Sequence, residues 1–198
     1  DGDRLWVNND IDNTVSVIDL ETNTVIETII VGARPHDVFV TEDGAAAYMT
    51  ILHPDDATPD QVFMYDTGTF EKLAEVNVGK DPHLFHLSAS NTLYVPCQSG
   101  DLYALQGQDL STISRSDFEG AHGIFSSPDQ KTVFVTNLPG AQLYAIDAAA
   151  NTLIGSPVNT TVPIPHNIVL NQKGDKMFVT HSGATANTVT SYDIDETA

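Results

Sequence analysis

Four short segments of the 198-residue chain say nearly the same thing. They are Arg34-Pro35-His36-Asp37-Val38-Phe39-Val40, Asp81-Pro82-His83-Leu84-Phe85-His86-Leu87, Gly120-Ala121-His122-Gly123-Ile124-Phe125-Ser126 and Ile164-Pro165-His166-Asn167-Ile168-Val169-Leu170. Each places a histidine just before an apolar strand. The histidines stand 47, 39 and 44 residues apart, from positions 36, 83, 122 and 166. A period of this length means one supersecondary unit stacked repeatedly, and the unit sets the fold. It also sets one imidazole at the same point of every unit.

Each unit has four beats. The first is the apolar strand after the histidine, such as 37–41 or 123–126, ending in a turn such as Glu42-Asp43-Gly44 or Ser127-Pro128-Asp129-Gln130. Asp, Pro, Asn and Gly supply turn geometries that Ala or Val disfavours. The second beat is aromatic-rich: Leu5-Trp6-Val7-Asn8-Asn9, Ala47-Tyr48-Met49-Thr50, Leu93-Tyr94-Val95-Pro96-Cys97, Val133-Phe134-Val135-Thr136-Asn137 and Met177-Phe178-Val179-Thr180-His181. The third alternates polar and apolar residues, as in Thr14-Val15-Ser16-Val17-Ile18-Asp19 and Gln142-Leu143-Tyr144-Ala145-Ile146-Asp147. Period-two alternation rich in β-branched and aromatic residues is the signature of a strand. The fourth follows a polar turn and covers 24–31, 72–78 and 152–158. No segment carries sustained helical periodicity. Four antiparallel strands in roughly 40 to 45 residues describe a propeller blade.

The phrases Asn13-Thr14-Val15-Ser16-Val17-Ile18-Asp19, Gly32-Ala33-Arg34-Pro35-His36 and Phe134-Val135-Thr136-Asn137 resemble the YVTN-type β-propeller repeat. That family includes surface-layer and periplasmic repeat proteins, so the resemblance implies a periplasmic, extracellular or cell-surface location. It is specific for fold and says little of function, because such propellers carry many activities. Two departures occur: the second aromatic strand reads Tyr48-Met49-Thr50-Ile51, and the third contains Pro96, which removes a ladder donor.

The expected fold is an all-β propeller of four-stranded antiparallel blades in a single domain, residues 1–198. The blade repeats are 1–35, 36–82, 83–121, 122–165 and 166–198. The chain enters at the second beat and leaves after the third beat of the fifth unit, which makes 18 strands as 3 + 4 + 4 + 4 + 3. The two end remnants do not complement each other. About four and a half blades of a seven-bladed ring are therefore expected, with more chain or another chain closing it. The chain opens on Asp1 without an initiator Met or a signal peptide, which reads as a processed, excised or incomplete chain.

Composition removes some partners. With 27 acidic and 8 basic residues the formal charge is −19, so nucleic acid phosphates would be repelled. No apolar run reaches the length of a membrane span. The single cysteine, Cys97, excludes an internal disulfide. The chain has no Gly-x-Ser-x-Gly, no phosphate-cradling glycine loop and no Cys-x-x-Cys-His haem attachment. Asp10, Asp12 and Asn13 lack the glycine and distal Glu of a calcium loop and read as a polar hairpin turn.

In a propeller the innermost strand runs beside the central channel, and the residue that opens it sits at one mouth. His36, His83, His122 and His166 are thus expected on an arc around one opening. The neighbouring second strand ends at the same face, which brings His181 and Cys97 toward that space. Converging imidazoles suit copper and other transition metals, and Arg34 and Asp37 add a cation and a carboxylate beside His36. The metal candidates are His36, His83, His122, His166 and His181; no residue is assigned a catalytic role. A histidine after proline also serves structure, by bonding a carbonyl of the next blade. His86, in the place of Phe39, Phe125 and Val169, reads as packing, His53 as plain surface and Cys97 as a small buried residue.

Three functions are compatible with this pattern. The leading one is a binding or interaction scaffold for a protein or small-molecule ligand. The second is the propeller portion of a copper-dependent oxidoreductase acting on a small inorganic or sulfur compound. In blade and histidine placement the chain resembles propeller enzymes that hold copper at a channel mouth, such as nitrous-oxide reductase, thiocyanate dehydrogenase and selenium-binding-type thiol oxidases. The third is a structural surface-layer module.

Overall fold

The computed structural model describes residues 2–183 and 188–194. The outermost ends of the first and last repeats, and residues 184–187, lie outside the described residues. Among the described residues every regular element is a strand. The first sheet holds β1 (Arg4–Asn9), β2 (Thr14–Asp19) and β3 (Thr24–Ile30); the second holds β4 (Arg34–Val40), β5 (Ala46–Leu52), β6 (Asp60–Asp66) and β7 (Lys72–Val78). The third holds β8 (Phe85–Leu87), β9 (Thr92–Cys97), β10 (Asp101–Gln106) and β11 (Thr112–Asp117). The fourth holds β12 (Ala121–Ser126), β13 (Thr132–Asn137), β14 (Gln142–Asp147), β15 (Thr152–Leu153) and β16 (Val158–Asn159). The last holds β17 (Pro165–Leu170), β18 (Lys176–His181) and β19 (Val189–Asp193). Each sheet follows chain order, and the strand pairs are antiparallel hairpins. These are the blades of a β-propeller.

Two expectations need correction. Among the described residues there are nineteen strands rather than eighteen, because the fourth strand of the fourth blade is cut in two. β15 pairs Ile146 with Leu153, and β16 pairs Leu143 with Val158 on the same neighbour. Between them Gly155 takes φ +64 and Pro157 has no N–H to offer, so the ladder stops and restarts. The histidines, moreover, do not precede the inner strands of three blades. They lie inside β4, β12 and β17, since pairing resumes upstream as Pro35 with Ile51, Ala121 with Asn137 and Pro165 with His181.

The chain divides into two compact units, residues 1–95 with 105–113 and residues 96–104 with 114–198. In the first, Trp6, Val15, Val17, Ile29, Ala47, Met49, Ile51 and Phe63 form one apolar core. In the second, Phe134, Leu143, Ile168, Leu170, Met177 and Val179 form another. Both arise from alternation: in β2 Val15 and Val17 are buried while Thr14 and Ser16 are less so. β5 is buried along its whole length, as a strand covered on both faces must be, and its sequence is correspondingly apolar. β18 alternates strictly, with Met177, Val179 and His181 inward.

Turns between third and fourth strands carry a second recurring device. Asp19 and Asp66 accept the N–H groups of Thr22 and Thr69 at 2.7 Å, and Asp147 accepts that of Ala150 at 2.8 Å. The turn closes on a left-handed residue: Asn23, Phe70, Leu110 and Asn151. A bulky side chain disfavours that conformation. Phe70 is held there by Trp6, 6.0 Å away ring to ring, and by the Arg4 guanidinium; Leu110 is held by complete burial.

Candidate functional site

Each of the three long inner strands bulges at its histidine: the register shifts between Pro35 and Val38, Ala121 and Ile124, and Pro165 and Ile168. A bulge leaves an amide outside the ladder and re-aims a side chain. One residue type answers that amide each time. Thr50 Oγ1 accepts Asp37 N–H (2.8 Å), Thr136 Oγ1 accepts Gly123 N–H (2.8 Å) and Thr180 Oγ1 accepts Asn167 N–H (3.1 Å). All three threonines hold the same place in the aromatic strand. In the third blade Pro96 stands there, and its inner strand β8 is short, starting after His83. The same position also reaches the next inner strand: Asn8 Nδ2 donates to the His36 carbonyl (2.7 Å), and Thr136 Oγ1 donates to the His166 carbonyl (3.0 Å).

In the first unit the bulge of β4 and the segment entering β8 bring His36, Asp37 and His83 together. The imidazoles meet edge to face, with ring centres 4.8 Å apart and planes at 77°. Asp37 lies between them: its Oδ2 accepts from His83 Nδ1 (3.1 Å) and from the Leu84 N–H (3.1 Å), and its Oδ1 stands 3.5 Å from His36 Nδ1. Burial pushes the Asp37 carboxyl upward; the His83 hydrogen bond and the charges of His83 and His36 outweigh it, so the group titrates below the ordinary carboxylate value. One donor atom from each of the three residues lies within 4.8 Å of the other two. The side chains are 39, 34 and 15 % exposed for His36, Asp37 and His83, so the cluster opens to solvent on the His36 side. Beside it, Arg34 forks onto Asp10, with Nε–Oδ1 2.5 Å and Nη2–Oδ2 3.2 Å, which ties the polar turn of 10–13 to this end of the blade.

The second unit pairs His122 with His166 differently. Their ring centres are 4.2 Å apart and tilted at 47°, and His122 is buried. Gly123 takes the place that Asp37 holds. A Cβ there would meet the His166 carbonyl oxygen at 2.0 Å, so glycine is what lets the two inner strands approach.

The remaining sequence candidates lie outside this three-residue cluster. His181 is buried at 8 % exposure; its Nδ1–H donates to the Pro163 carbonyl (3.1 Å) and its Nε2 pairs with Thr190 Oγ1 (2.8 Å). Asn137, at the same place one blade earlier, clasps Tyr144 and Gly140. The polar residue ending the aromatic strand is a clasp in both blades, which the shared position of Asn137 and His181 already signals. Cys97 is fully buried. His86 packs against Phe39 and Tyr48, with Nε2 2.8 Å from Asn91 Oδ1.

Two features escaped the sequence reading. The reach of Asp37 to the histidine of the following blade had no local signal. Nor did the role of Lys80, whose ammonium donates to the carbonyls of His53, Asp55 and Thr58 and to buried Asp60. Asp60 also accepts the N–H groups of His53 and Asp81. The loop around His53, expected as plain surface, is thereby organised, and it anchors the segment entering His83.

Comparison with known proteins supports the fold. The chain is similar to hydrazine synthase of Kuenenia stuttgartiensis, with a TM-score of 0.79, 22% identity, and coverage of 91% of this chain and 53% of that one. It is also similar to a functionally unknown protein from Desulfotomaculum acetoxidans, with a TM-score of 0.72, 16% identity, and coverage of 97% and 67%. The chain therefore spans about half the length of the hydrazine synthase chain. No protein-family model matches, and no curated protein matches. The class defined by fold and sheets is a β-propeller.

Proposed function

We propose that this chain is a YVTN-type propeller, located outside the cytoplasm, that works as a binding scaffold with its bulged histidines as the ligand-facing elements. The observation that carries the reading is the division of labour at each bulge. Thr50, Thr136 and Thr180 take up the bulge amides, and Asn8 and Thr136 take up histidine carbonyls, so threonine and asparagine side chains close the backbone at these points. Replacing His36, His83, His122 and His166 together by Gln tests this. Far-UV circular dichroism should stay that of the wild type, while calorimetric binding of a panel of divalent metal ions and small oxyanions or sulfur anions should be lost. An unfolded variant would make the histidines structural, and unchanged binding would remove them from the site; either result overturns the reading.

A second reading, compatible with the likeness in fold to a hydrazine synthase chain, is the propeller portion of a copper-dependent oxidoreductase acting on a small inorganic or sulfur compound. Turnover of such a compound by the copper-loaded chain, lost in the four-histidine variant, would favour it over the scaffold.

The partner reading rests on one sheet face. Tyr48, Tyr94 and Phe134 hold equivalent positions and are buried at 1, 1 and 8 %, whereas Phe178 is 37 % exposed, beside Val169 at 47 %. Contiguous exposed apolar surface on a sheet invites a covering layer. A further blade, from more of the same polypeptide or from a second chain, would cover it. Light scattering of the 21.3 kDa chain checks this: association that Phe178→Lys abolishes supports it, and a monomer at all concentrations for both proteins counts against a second chain.

A further inference from the structure

We infer that His36, Asp37 and His83 form a binding site for one divalent first-row transition-metal ion, and that Asp37 is the ligand that distinguishes this site from the other histidine pair. The inference deepens the scaffold reading and rests on it. Two imidazoles and one carboxylate are a donor set for zinc, cobalt, nickel or copper rather than for calcium or magnesium, which prefer oxygen throughout.

The geometry is close to what an ion requires. Donors bonded to a metal at about 2.1 Å stand about 3.4 Å apart in a tetrahedron. The three donor atoms already lie within 4.8 Å of one another, and Asp37 sits 3.1 Å from His83 and 3.5 Å from His36. Closing the widest gap takes about 1.4 Å, which a turn of a partly exposed imidazole supplies. The carboxylate is oriented by the Leu84 N–H on Oδ2, which leaves Oδ1 toward His36. A hydrogen-bonded outer partner of this kind is what holds a ligand in place. Exposure on the His36 side leaves positions for water or for a ligand of the scaffold.

Charge decides between a cation and an anion here. Asp37 stands at the centre of the cluster, and the Arg34 cation beside it is already paired with Asp10 and faces Asp81 as well. The chain as a whole carries −19. An anion would meet the Asp37 carboxylate, whereas a divalent cation gains from it and from the net negative charge of the chain, the Arg34 cation being offset by Asp10. In the second unit the corresponding residue is Gly123, which contributes no donor, and the His122 ring is buried. That pair lacks the third ligand.

Cobalt(II) titration of the metal-free 198-residue chain, followed by visible absorption, tests the site, with zinc(II) calorimetry for stoichiometry. One ion should bind, with d–d bands of a low-coordinate site. Asp37→Asn, which keeps the shape of the side chain, and His83→Gln should each weaken binding at least tenfold with unchanged circular dichroism. His53→Gln should leave it within twofold. Absence of saturable binding, or binding that Asp37→Asn and His83→Gln leave intact, overturns the inference. If cobalt fails to bind while anions of the panel still bind through the histidines, the metal site falls and the scaffold reading stands. If no ligand depends on the bulged histidines, both fall.

Discussion

His36-Asp37 facing His83 and His122-Gly123 facing His166 begin as the same sequence device and end as different chemistry. In both, a histidine sits in a bulge of an inner strand, and a threonine of the adjacent strand accepts the next amide, Thr50 in one case and Thr136 in the other. In both, the imidazole meets the histidine of the following blade. The residue after the first histidine decides the rest. A carboxylate there reaches across to the second ring and holds the pair apart around three donors. A glycine there admits the His166 backbone, and the rings close to 4.2 Å with one of them buried. The difference teaches that a repeat can copy its backbone faithfully and change what its histidines meet through one side chain that faces the next copy.

The comparison breaks most sharply at Gly123. Gly123→Ala places a Cβ 2.0 Å from the His166 carbonyl oxygen, a backbone atom that cannot move aside cheaply. A cost of about 3 kcal/mol is expected, read as a lower urea midpoint, because overpacking at a fixed backbone contact strains both strands. A midpoint equal to the wild type would mean that the inner strands are not held at this distance.

The threonines should differ next. Thr136 serves both the Gly123 amide and the His166 carbonyl, and it is fully buried. Thr136→Val should cost about 2 kcal/mol, since it strands a buried donor and takes a partner from a half-buried acceptor. Thr50→Val strands the Asp37 amide and should cost about 1 kcal/mol. Equal losses in denaturant titrations would show that the second hydrogen bond of Thr136 contributes little.

The entries to the second histidine of each pair also differ. Asp81 and Ile164 both take left-handed backbone, at φ +51 and +58. Aspartate tolerates that region, while a β-branched side chain is strained there by about 1 kcal/mol. Ile164 is 38 % exposed, so Ile164→Asn loses little burial and should raise the melting temperature by a few degrees. A lower melting temperature would show that the isoleucine packs more than its exposure indicates.

The smallest effect concerns acid. Hydrogen bonds from Thr22 and Thr69 hold Asp19 and Asp66 in the first unit below the ordinary value of 3.8, and those from Ser127 and the Lys131 amide do the same for Asp129 in the second. A depressed folded pKa contributes stability that is present above the unfolded value and is lost as pH falls through the folded one. The amide resonances of Thr22, Thr69 and Lys131 should therefore titrate with midpoints below 3.8. Midpoints at or above it would remove these turns as a source of acid sensitivity.

Much of the blade pattern was legible from side-chain periodicity, because strand alternation and turn chemistry are local. The aromatic strands β5, β9 and β13 were readable as strands, and the hairpins at Asp19 and Asp66 followed from their turn residues. The split of the fourth blade's outer strand was visible only as Gly155 and Pro157, whose effect depends on which neighbour β14 pairs with. His181 appeared among the possible ligands because its place in the strand pointed to the same face. Its burial and both its partners depend on a loop, at Pro163, and a strand, at Thr190, that the local pattern does not align.

What the sequence determined by itself is the repeat: four beats, an aromatic second strand, a threonine or asparagine near its end, and a histidine at one recurring point. These follow from interactions a few residues long. Only the tertiary structure decided what each histidine meets. Asp37 and His83 lie 46 residues apart and touch because tertiary packing brings β4 against the segment that enters β8. Whether the residue after a histidine bridges that gap or vanishes to let it close depends on the distance between strands, and no local pattern of residues encodes that distance.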